Sequence, residues 1–420
     1  MAVVAGGTAV AQAINIAATP FITRLYGPEA FGLLGVFNSL VVALIPLACL
    51  SYETAIVIPK SGRDARALVR LSSVLAVGAS AVVAVAALAG YNRLGELLGL
   101  GASGWYLLLV PVALLAAAIA EILSHWLVRV ERFQPLARVA ISQSSLAAGA
   151  SVGLGFLWPN AIVLIAVSTA RHFFRALRLA LLTQRDLRGS WFRRSGSEDP
   201  LGLKHAAVQY RDFPQLELPR VFAERTGEAA PTLILAALFG PAFAGFYELA
   251  RRIVKLPSSL LAHSISQVYR SRAARAVHDG RSLNRDLLRI SGSLLLLGVI
   301  PYGVVGVFGP SLFVVVFGPQ WDAAGQVARW LALWYLVHVA VQPGTQALKV
   351  TRHLRFNLGW AVVANVVKLA ALTAAALFTG DPIVAIAVYA VVSIGADIVL
   401  IAAAYRRSAV PISTERKLQQ

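Results

Sequence analysis

This sequence is short of cysteine, and short of acidic side chains relative to basic ones. A single cysteine, Cys49, among 420 residues excludes an internal disulfide and any thiolate cluster for zinc or iron–sulfur. Charged residues make up only 14 % of the chain, against about a quarter in soluble domains. With 58 % hydrophobic residues and a mean hydropathy of +0.70, a water-soluble globule is excluded. No Gly-Lys dipeptide occurs, so there is no Walker A phosphate loop and no built-in ATP engine. The histidines, His125, His172, His205, His263, His278, His338 and His353, show no H-E-x-x-H or similar metal spacing, and a lone histidine is more often structural than a ligand. No cofactor or metal is expected. Asp and Glu number 20 against 38 Lys and Arg, a formal charge of +18. In a membrane chain this excess points to basic cytoplasmic loops beside an anionic leaflet, not to nucleic acid.

What is abundant is long apolar runs. A crossing takes about 20 apolar residues, and such runs lie near 2–21, 31–55, 67–90, 104–124, 138–157 and 161–183, then near 215–239, 243–268, 289–309, 324–343, 357–379 and 383–404. The predicted architecture is an all-α integral membrane protein of 12 transmembrane helices in two six-helix bundles. The first run resembles a signal peptide in length but has no basic leader and flows through Pro20 into the next run, so it is taken as the first span. The predicted organisation is an N-lobe over 1–183, a cytoplasmic linker over 184–214, a C-lobe over 215–404 and a cytoplasmic tail over 405–420. The linker carries Arg188-Gly189-Ser190 and Arg193-Arg194-Ser195-Gly196-Ser197, with one short interfacial helix expected near Leu201 to Tyr210.

Lys and Arg set the orientation. With the N-terminus inside, the outer loops hold only Arg24 and Arg93, while the inner loops hold Lys60, Arg63, Arg66, Arg129, Arg132, Arg185, Arg188, Arg272 and Arg275. By the positive-inside rule both termini are cytoplasmic, and the outer loops are too short for a catalytic domain. Leu25-Tyr26-Gly27-Pro28 followed by Gly32 recurs as Leu238-Phe239-Gly240-Pro241 followed by Gly245, an offset of 213 residues. Six spans separate the copies, so they share one orientation and imply a pseudo-twofold axis along the membrane normal. The plainer alternative is a chance match between two Gly-Pro turns.

Ionisable residues inside spans are costly and usually face protein or water-filled cavities. The sixth run carries Arg171, Arg175 and Arg178 at i, i+4 and i+7. At 1.5 Å per residue Arg171 lies about 15 Å from Ala161, close to the midplane, whereas Arg178 can snorkel. The eighth run carries Glu248, Arg251, Arg252 and Lys255, with Glu248 and Arg252 placed to pair at i+4. The seventh supplies Glu217, Arg220, Glu224 and Glu228 along one face with Arg225 beside it, and Lys368 and Asp397 form a further candidate pair. Mutual neutralisation that merely joins helices is one reading. The other is a wet cavity with surplus positive charge suited to pyrophosphate, because Arg offers several donors and stays charged when desolvated. The acids Glu53, Glu224, Glu228 and Asp397 are candidates for binding a coupling H⁺ or Na⁺. Gly149 and Gly153 form a G-x-x-x-G that signals close packing.

The stretch Gly7-Thr8-Ala9-Val10-Ala11-Gln12, then Thr23-Arg24-Leu25-Tyr26-Gly27-Pro28-Glu29-Ala30-Phe31-Gly32 and Tyr52-Glu53, resembles the bacterial polysaccharide-biosynthesis flippases. These are lipid-linked oligosaccharide (O-antigen-type) translocases of the multidrug/oligosaccharidyl-lipid/polysaccharide (MOP) exporter superfamily. The second half adds Tyr210-Arg211-Asp212-Phe213-Pro214, Ala244-Gly245-Phe246-Tyr247, Leu249-Ala250-Arg251-Arg252, Leu256-Pro257 and Gln267-Val268. The charged Glu217, Arg220, Glu224 and Arg225 depart from the family pattern. The resemblance implies a V-shaped pair of bundles around a central cavity. It implies that an undecaprenyl-diphosphate-linked glycan is flipped from the inner to the outer leaflet of the cytoplasmic membrane by alternating access. It also implies that Arg24, Glu53 and Arg252 are worth testing first.

On this reading Arg24, Arg171, Arg175, Arg251, Arg252, Lys255 and Lys368 are the candidate substrate contacts. The implied partners are the lipid-linked oligosaccharide, membrane lipids, H⁺ or Na⁺, and the polymerase or ligase that uses the glycan. Two alternatives stand beside it. A cation-coupled drug exporter of the same superfamily would prefer an acidic lining, whereas the first run offers Gln12 and Asn15 but no carboxylate. A glycan polymerase or ligase would need reacting groups on sizeable outer loops. O-antigen, capsule and exopolysaccharide units all remain open as cargo.

Overall fold

The computed structural model describes residues 2–187, 202–258, 284–350 and 354–408. Among these there is no strand, as expected where the backbone must satisfy its own hydrogen bonds in lipid. Twelve helices of 18 residues or more are described. They are α1 (Ala2–Leu25), α2 (Pro28–Cys49), α4 (Gly62–Leu97), α5 (Val110–Arg129), α6 (Phe133–Leu157), α7 (Ala161–Leu187), α9 (Leu218–Phe239), α10 (241–258), α11 (Asn284–Phe317), α12 (Asp322–Val350), α13 (Leu354–Thr379) and α14 (Pro382–Ser408). Short helices α3 (Tyr52–Ala55) and α8 (Leu203–Gln209) lie between them. The second is where the interfacial helix of the linker was expected. Residues 188–201 of the linker, 259–268 of the eighth run and 409–420 of the tail lie outside the described residues.

Helix starts follow local chemistry. Pro28 opens α2 directly after Gly27, where its missing N–H costs nothing. The Ser61 hydroxyl accepts the Arg63 N–H at 3.1 Å to cap α4, and Asp381 Oδ1 accepts the Ile383 N–H at 2.7 Å to cap α14. One boundary differs from expectation. The run over 31–55 is not one span: α2 stops at Cys49, and Leu50 and Ser51 take left-handed conformations (φ 49° and 59°) before α3 begins. Such backbone is strained in residues with a β-carbon. It is held by the Thr54 N–H and hydroxyl, both of which donate to the Ser51 carbonyl, at 3.2 and 2.7 Å. Glu53 therefore lies beyond the span.

Seven of the long helices are apolar enough to cross a membrane: α2, α4, the segment Ser103–Arg129, α6, α11, α13 and α14. The others carry ionisable or amide side chains within their length, among them Arg171, Arg175 and Arg178 on α7, Glu224 and Glu228 on α9, and Arg329, His338 and Gln342 on α12. Burial grades them further. More than half of α2 is enclosed, while most of α6, α11 and α13 is not. Val82, Val85 and Leu88 of α4 and Leu296, Ile300 and Val307 of α11 are exposed, an apolar surface that lipid covers.

The chain divides into two compact units, 1–245 and 246–420. In the first, Val36, Phe37 and Val41 of α2 pack with Ala113 and Ala117 of α5 and Ile165 of α7. A second cluster joins Cys49, Tyr52 and Ile56 to Leu68, Ile122, Trp126 and Leu179. In the other unit Leu287, Val341, Leu348, Leu400 and Ala404 join α11, α12 and α14.

The repeated turn is a structural device. A β-carbon on Gly32 would overlap the Pro241 carbonyl and stand 3.0 Å from the Gly245 nitrogen, and one on Gly245 would overlap the Pro28 carbonyl and stand 2.9 Å from the Gly32 nitrogen. Residue i of each copy thus meets residue j of the other, as at a twofold interface. The neighbouring Tyr26 is fully buried, and its hydroxyl donates to the Ser151 carbonyl of α6 at 2.9 Å. Tyr26→Phe removes this bond at a cost of about 1 kcal/mol. The expected result is a melting temperature lower by about 2–4 °C in thermal unfolding of the purified protein.

Candidate functional site: two sets of buried charge

Charge in the first unit collects where α5 and α7 meet. Helix α7 turns Leu164, Ile165, Ala176 and Leu179 into the core and carries Arg171 and Arg175 beside them, both half-buried. Arg175 Nη2 donates to Glu121 Oε2 at 3.3 Å and to Ser124 Oγ at 3.0 Å. Arg171 Nε is shielded from solvent. Arg178, one turn on, is exposed and lies 6.0 Å from the Phe174 ring centroid. Arg24 is exposed in the last turn of α1.

Expected partners for the mid-depth cations on α9 prove to be engaged locally. Arg220 binds Glu217 and, at 3.2 Å, Glu224, with Glu224 exposed. Glu228 is exposed as well. Spacings of i+3 and i+4 let one guanidinium bridge both acids on a single helix face, so α9 neutralises part of its own charge.

Glu53 is 4 % exposed, and its Oε2 has no hydrogen-bond partner. Burial, with help from the charges of Glu121 and Glu217, pushes its carboxyl up to about 7, against a smaller opposing pull from a backbone hydrogen bond. Its ordinary value is 4.5, so the fold holds the proton more tightly than the unfolded chain does. The stabilisation is therefore present at low pH and is lost as pH rises from about 4.5 to about 7. The expected result is that the wild-type melting temperature falls between pH 5 and 8. Glu53→Gln flattens that profile and melts higher than wild type at pH 8. Thermal unfolding at both pH values checks it.

In the second unit α10 carries the paired cation. Arg251 Nη2 donates to Glu248 Oε1 and Oε2 at 2.8 and 2.9 Å, and its Nε donates to Oε2 at 3.3 Å. The side chains are 20 % and 22 % exposed. Glu248 thus takes a bidentate partner at i+3, Arg251, and Arg252, which the sequence placed to pair at i+4, also feels its charge. Arg252 and Lys255 are half-buried on the same helix.

Lys368 and Asp397 act on each other through their charges, while the direct contacts of each are to other groups. Asp397 Oδ2 accepts from Trp334 Nε1 at 2.9 Å and from His338 Nδ1 at 3.0 Å. Lys368 Nζ instead sits 5.4 Å from the centroid of the Trp334 ring, a cation–π contact. Two N–H donors on one helix satisfy the carboxylate, and the ammonium finds the face of the indole that one of them belongs to. The sequence reading passed over Trp334, His338 and Gln342. Their i, i+4, i+8 spacing was the available signal.

The site residues thus fall into separate groups. Arg171 and Arg175 share α7, Arg251, Arg252 and Lys255 share α10, and Lys368 and Asp397 meet around Trp334, whereas Arg24 lies on α1 and Glu53 lies on α3 within reach of the Glu121 charge.

Comparison with known proteins adds the context for these charges. The family described as "Polysaccharide biosynthesis protein" matches residues 21–326. The amylovoran biosynthesis protein AmsL of Erwinia amylovora is 28 % identical over 105 residues, a stretch of about a quarter of either chain (25 % of this one and 27 % of that one). Two solved structures share the fold. A multidrug resistance MATE family transporter of the MOP superfamily, in an inward-facing conformation, superposes with a TM-score of 0.76 at 14 % identity, covering 97 % of this chain and 96 % of the other. The lipid II flippase MurJ, in an inward closed conformation, gives 0.71 at 12 % identity, covering 96 % and 87 %.

Proposed function

Because the chain belongs to the polysaccharide biosynthesis family of the MOP superfamily, we propose that it flips an anionic polyprenyl-diphosphate-linked oligosaccharide from the cytoplasmic to the outer leaflet. The twelve long helices then act as twelve spans in the cytoplasmic membrane, with both termini inside, and two six-helix sets alternate access. The observation that carries the proposal is the placement of guanidinium groups at mid-helix on α7 and α10 of a multi-pass membrane protein. Arg171 and Arg175 lie about 15–21 Å along α7 from its first residue, and such positions cost too much to occupy idly.

A diphosphate is the ligand these groups suit. Arg175 and Arg251 already hold carboxylates in part-buried surroundings, and a phosphate oxygen accepts from the same fork of N–H donors with more negative charge behind it. Exchange of a carboxylate for a diphosphate leaves each guanidinium satisfied at both ends of the exchange, so the headgroup can be released as well as bound. The chain itself performs no bond chemistry on this reading. The sugar units need only fit and follow.

Deletion of the gene in its host tests the proposal. The expected result is loss of the surface polysaccharide with accumulation of its lipid-linked unit on the cytoplasmic side, and unchanged sensitivity to cationic dyes. Intact polysaccharide with increased dye sensitivity would instead assign the chain to drug export.

A further inference from the structure

Around Asp397 the polar side chains form one connected set. Its carboxylate is buried and bonds to Trp334 Nε1 and His338 Nδ1, and Gln342 Nε2 lies 2.9 Å from the other imidazole nitrogen, His338 Nε2. A neutral imidazole has one N–H and one lone pair. With the N–H on Nδ1, it donates to Asp397 while Nε2 accepts from the Gln342 amide, and the chain Gln342, His338, Asp397, Trp334 is closed. A proton added at Nε2 turns that contact into donor against donor. Rotation of the Gln342 amide by half a turn then presents Oε1, and the imidazolium gains acceptors on both sides.

The cluster does not suit a metal cation. The groups touching Asp397 are N–H donors, and Lys368 already places an ammonium over Trp334. Na⁺, like other hard cations, wants several oxygen ligands. A proton needs only the one lone pair that His338 has.

Other titratable groups nearby do not displace this assignment. On α12 and α14 they are Tyr335, 5.9 Å from the imidazole centroid, and Tyr389, 5.4 Å from that of Trp334. Helix α13 contributes Lys368, and α10 contributes Tyr247 with the internally neutralised Glu248–Arg251 pair, which interact with Tyr335. Helix α11 has no charged residue between Arg289 and Phe317, and Tyr302 is its phenol. Among these groups His338 is the one imidazole, with a ring nitrogen that can take a proton.

We propose that His338, backed by Asp397 and read by Gln342, is a proton-binding site of the second unit, at which the transport cycle takes up its coupling ion. The coupling part rests on the transport reading above. The binding part does not, which allows the two to fail separately.

Tryptophan fluorescence of the full-length protein in detergent, titrated from pH 5 to 8.5, tests the binding part. An imidazolium 5.7 Å from the Trp334 ring quenches it. The expected result is a sigmoidal component that His338→Gln and Trp334→Phe each abolish and that His205→Gln, a change on α8, leaves intact. Gln342→Glu, which offers the imidazolium a carboxylate, moves the midpoint up by at least about one pH unit, equivalent to 1.4 kcal/mol, and Gln342→Leu moves it down. No such component, or one that survives His338→Gln or ignores Gln342, overturns the site. In proteoliposomes, wild-type flipping of a lipid-linked diphosphate responds to an imposed pH gradient and His338→Gln flipping does not. Equal response in both overturns the coupling. Wild-type protein that titrates as described but moves no lipid with or without a gradient overturns the transport reading and leaves the proton site standing.

Discussion

Replacing Arg251 and Glu248 together by glutamine lowers translocation of a lipid-linked diphosphate about a hundred-fold or more while leaving the protein folded. Each guanidinium donor to a charged oxygen contributes about 1.5–3 kcal/mol, and Arg251 places two such donors, Nε and Nη2, on Glu248. If a diphosphate takes over those donors, loss of two bonds removes about 3–6 kcal/mol, and each 1.4 kcal/mol is tenfold. The single change Arg251→Ala is less informative, because a part-buried carboxylate left without its cation costs about 3–5 kcal/mol in stability and the variant can fail to fold. The double change replaces an ion pair by two neutral amides of similar size and separates the two effects. Flipping rate and melting temperature are measured on the same preparation. Normal flipping by a folded double variant would mean that Arg251 serves only to fasten Glu248 on α10.

Gly32→Val and Gly245→Val each prevent recovery of folded protein, or lower the melting temperature by more than about 10 °C. A β-carbon at either position would overlap a backbone carbonyl, Pro241 for Gly32 and Pro28 for Gly245. A carbonyl on a helix cannot move aside as a flexible side-chain end can, so α2 and α10 must separate along their contact. Overpacking of this kind costs about 1–3 kcal/mol where the surroundings yield, and more where backbone meets backbone. Gly27→Ala is the matched control in the same turn. Its φ is −72° and no atom lies within 4 Å of a β-carbon built there, so it melts like wild type. Size-exclusion profiles and thermal unfolding of the three variants decide the point. A well-folded Gly245→Val protein would show that the reciprocal contact is loose.

The helices were readable because their signals are local. Pro28 and Pro382 open helices at their first residue, and Ala, Val and Leu fill much of the length of both. The repeat of Leu25-Tyr26-Gly27-Pro28 at 238–241 was visible as a pattern, but its use as a reciprocal contact depends on how two distant helices meet, which no local pattern encodes. The break after Cys49 was hidden for the opposite reason. Leu50 and Ser51 adopt positive φ without a glycine or proline to mark them.

Charge pairing was the least readable part. Glu248 can reach Arg251 or Arg252 by spacing alone, and spacing does not say that the bidentate contact falls to Arg251. Asp397 was matched to Lys368 because opposite charges attract, yet Trp334 and His338 supply N–H donors at 2.9 and 3.0 Å. Which side chains of α12 face α14 is set by helix register, and aromatic donors do not show up in a count of charges. The bridge of Arg220 between Glu217 and Glu224 follows from i+3 and i+4 spacing and was within reach of the sequence.

The most direct test of the account is flipping by the purified chain alone. A polyprenyl-diphosphate-linked oligosaccharide is reconstituted with the protein in liposomes, and the share of glycan open to an external, membrane-impermeant glycosidase is followed over time. Glycan shielded in the inner leaflet becomes cleavable within minutes in the presence of the wild-type protein, and the Glu248→Gln/Arg251→Gln protein slows this about a hundred-fold. Cleavage that stops at half the glycan, as in protein-free liposomes, would contradict it.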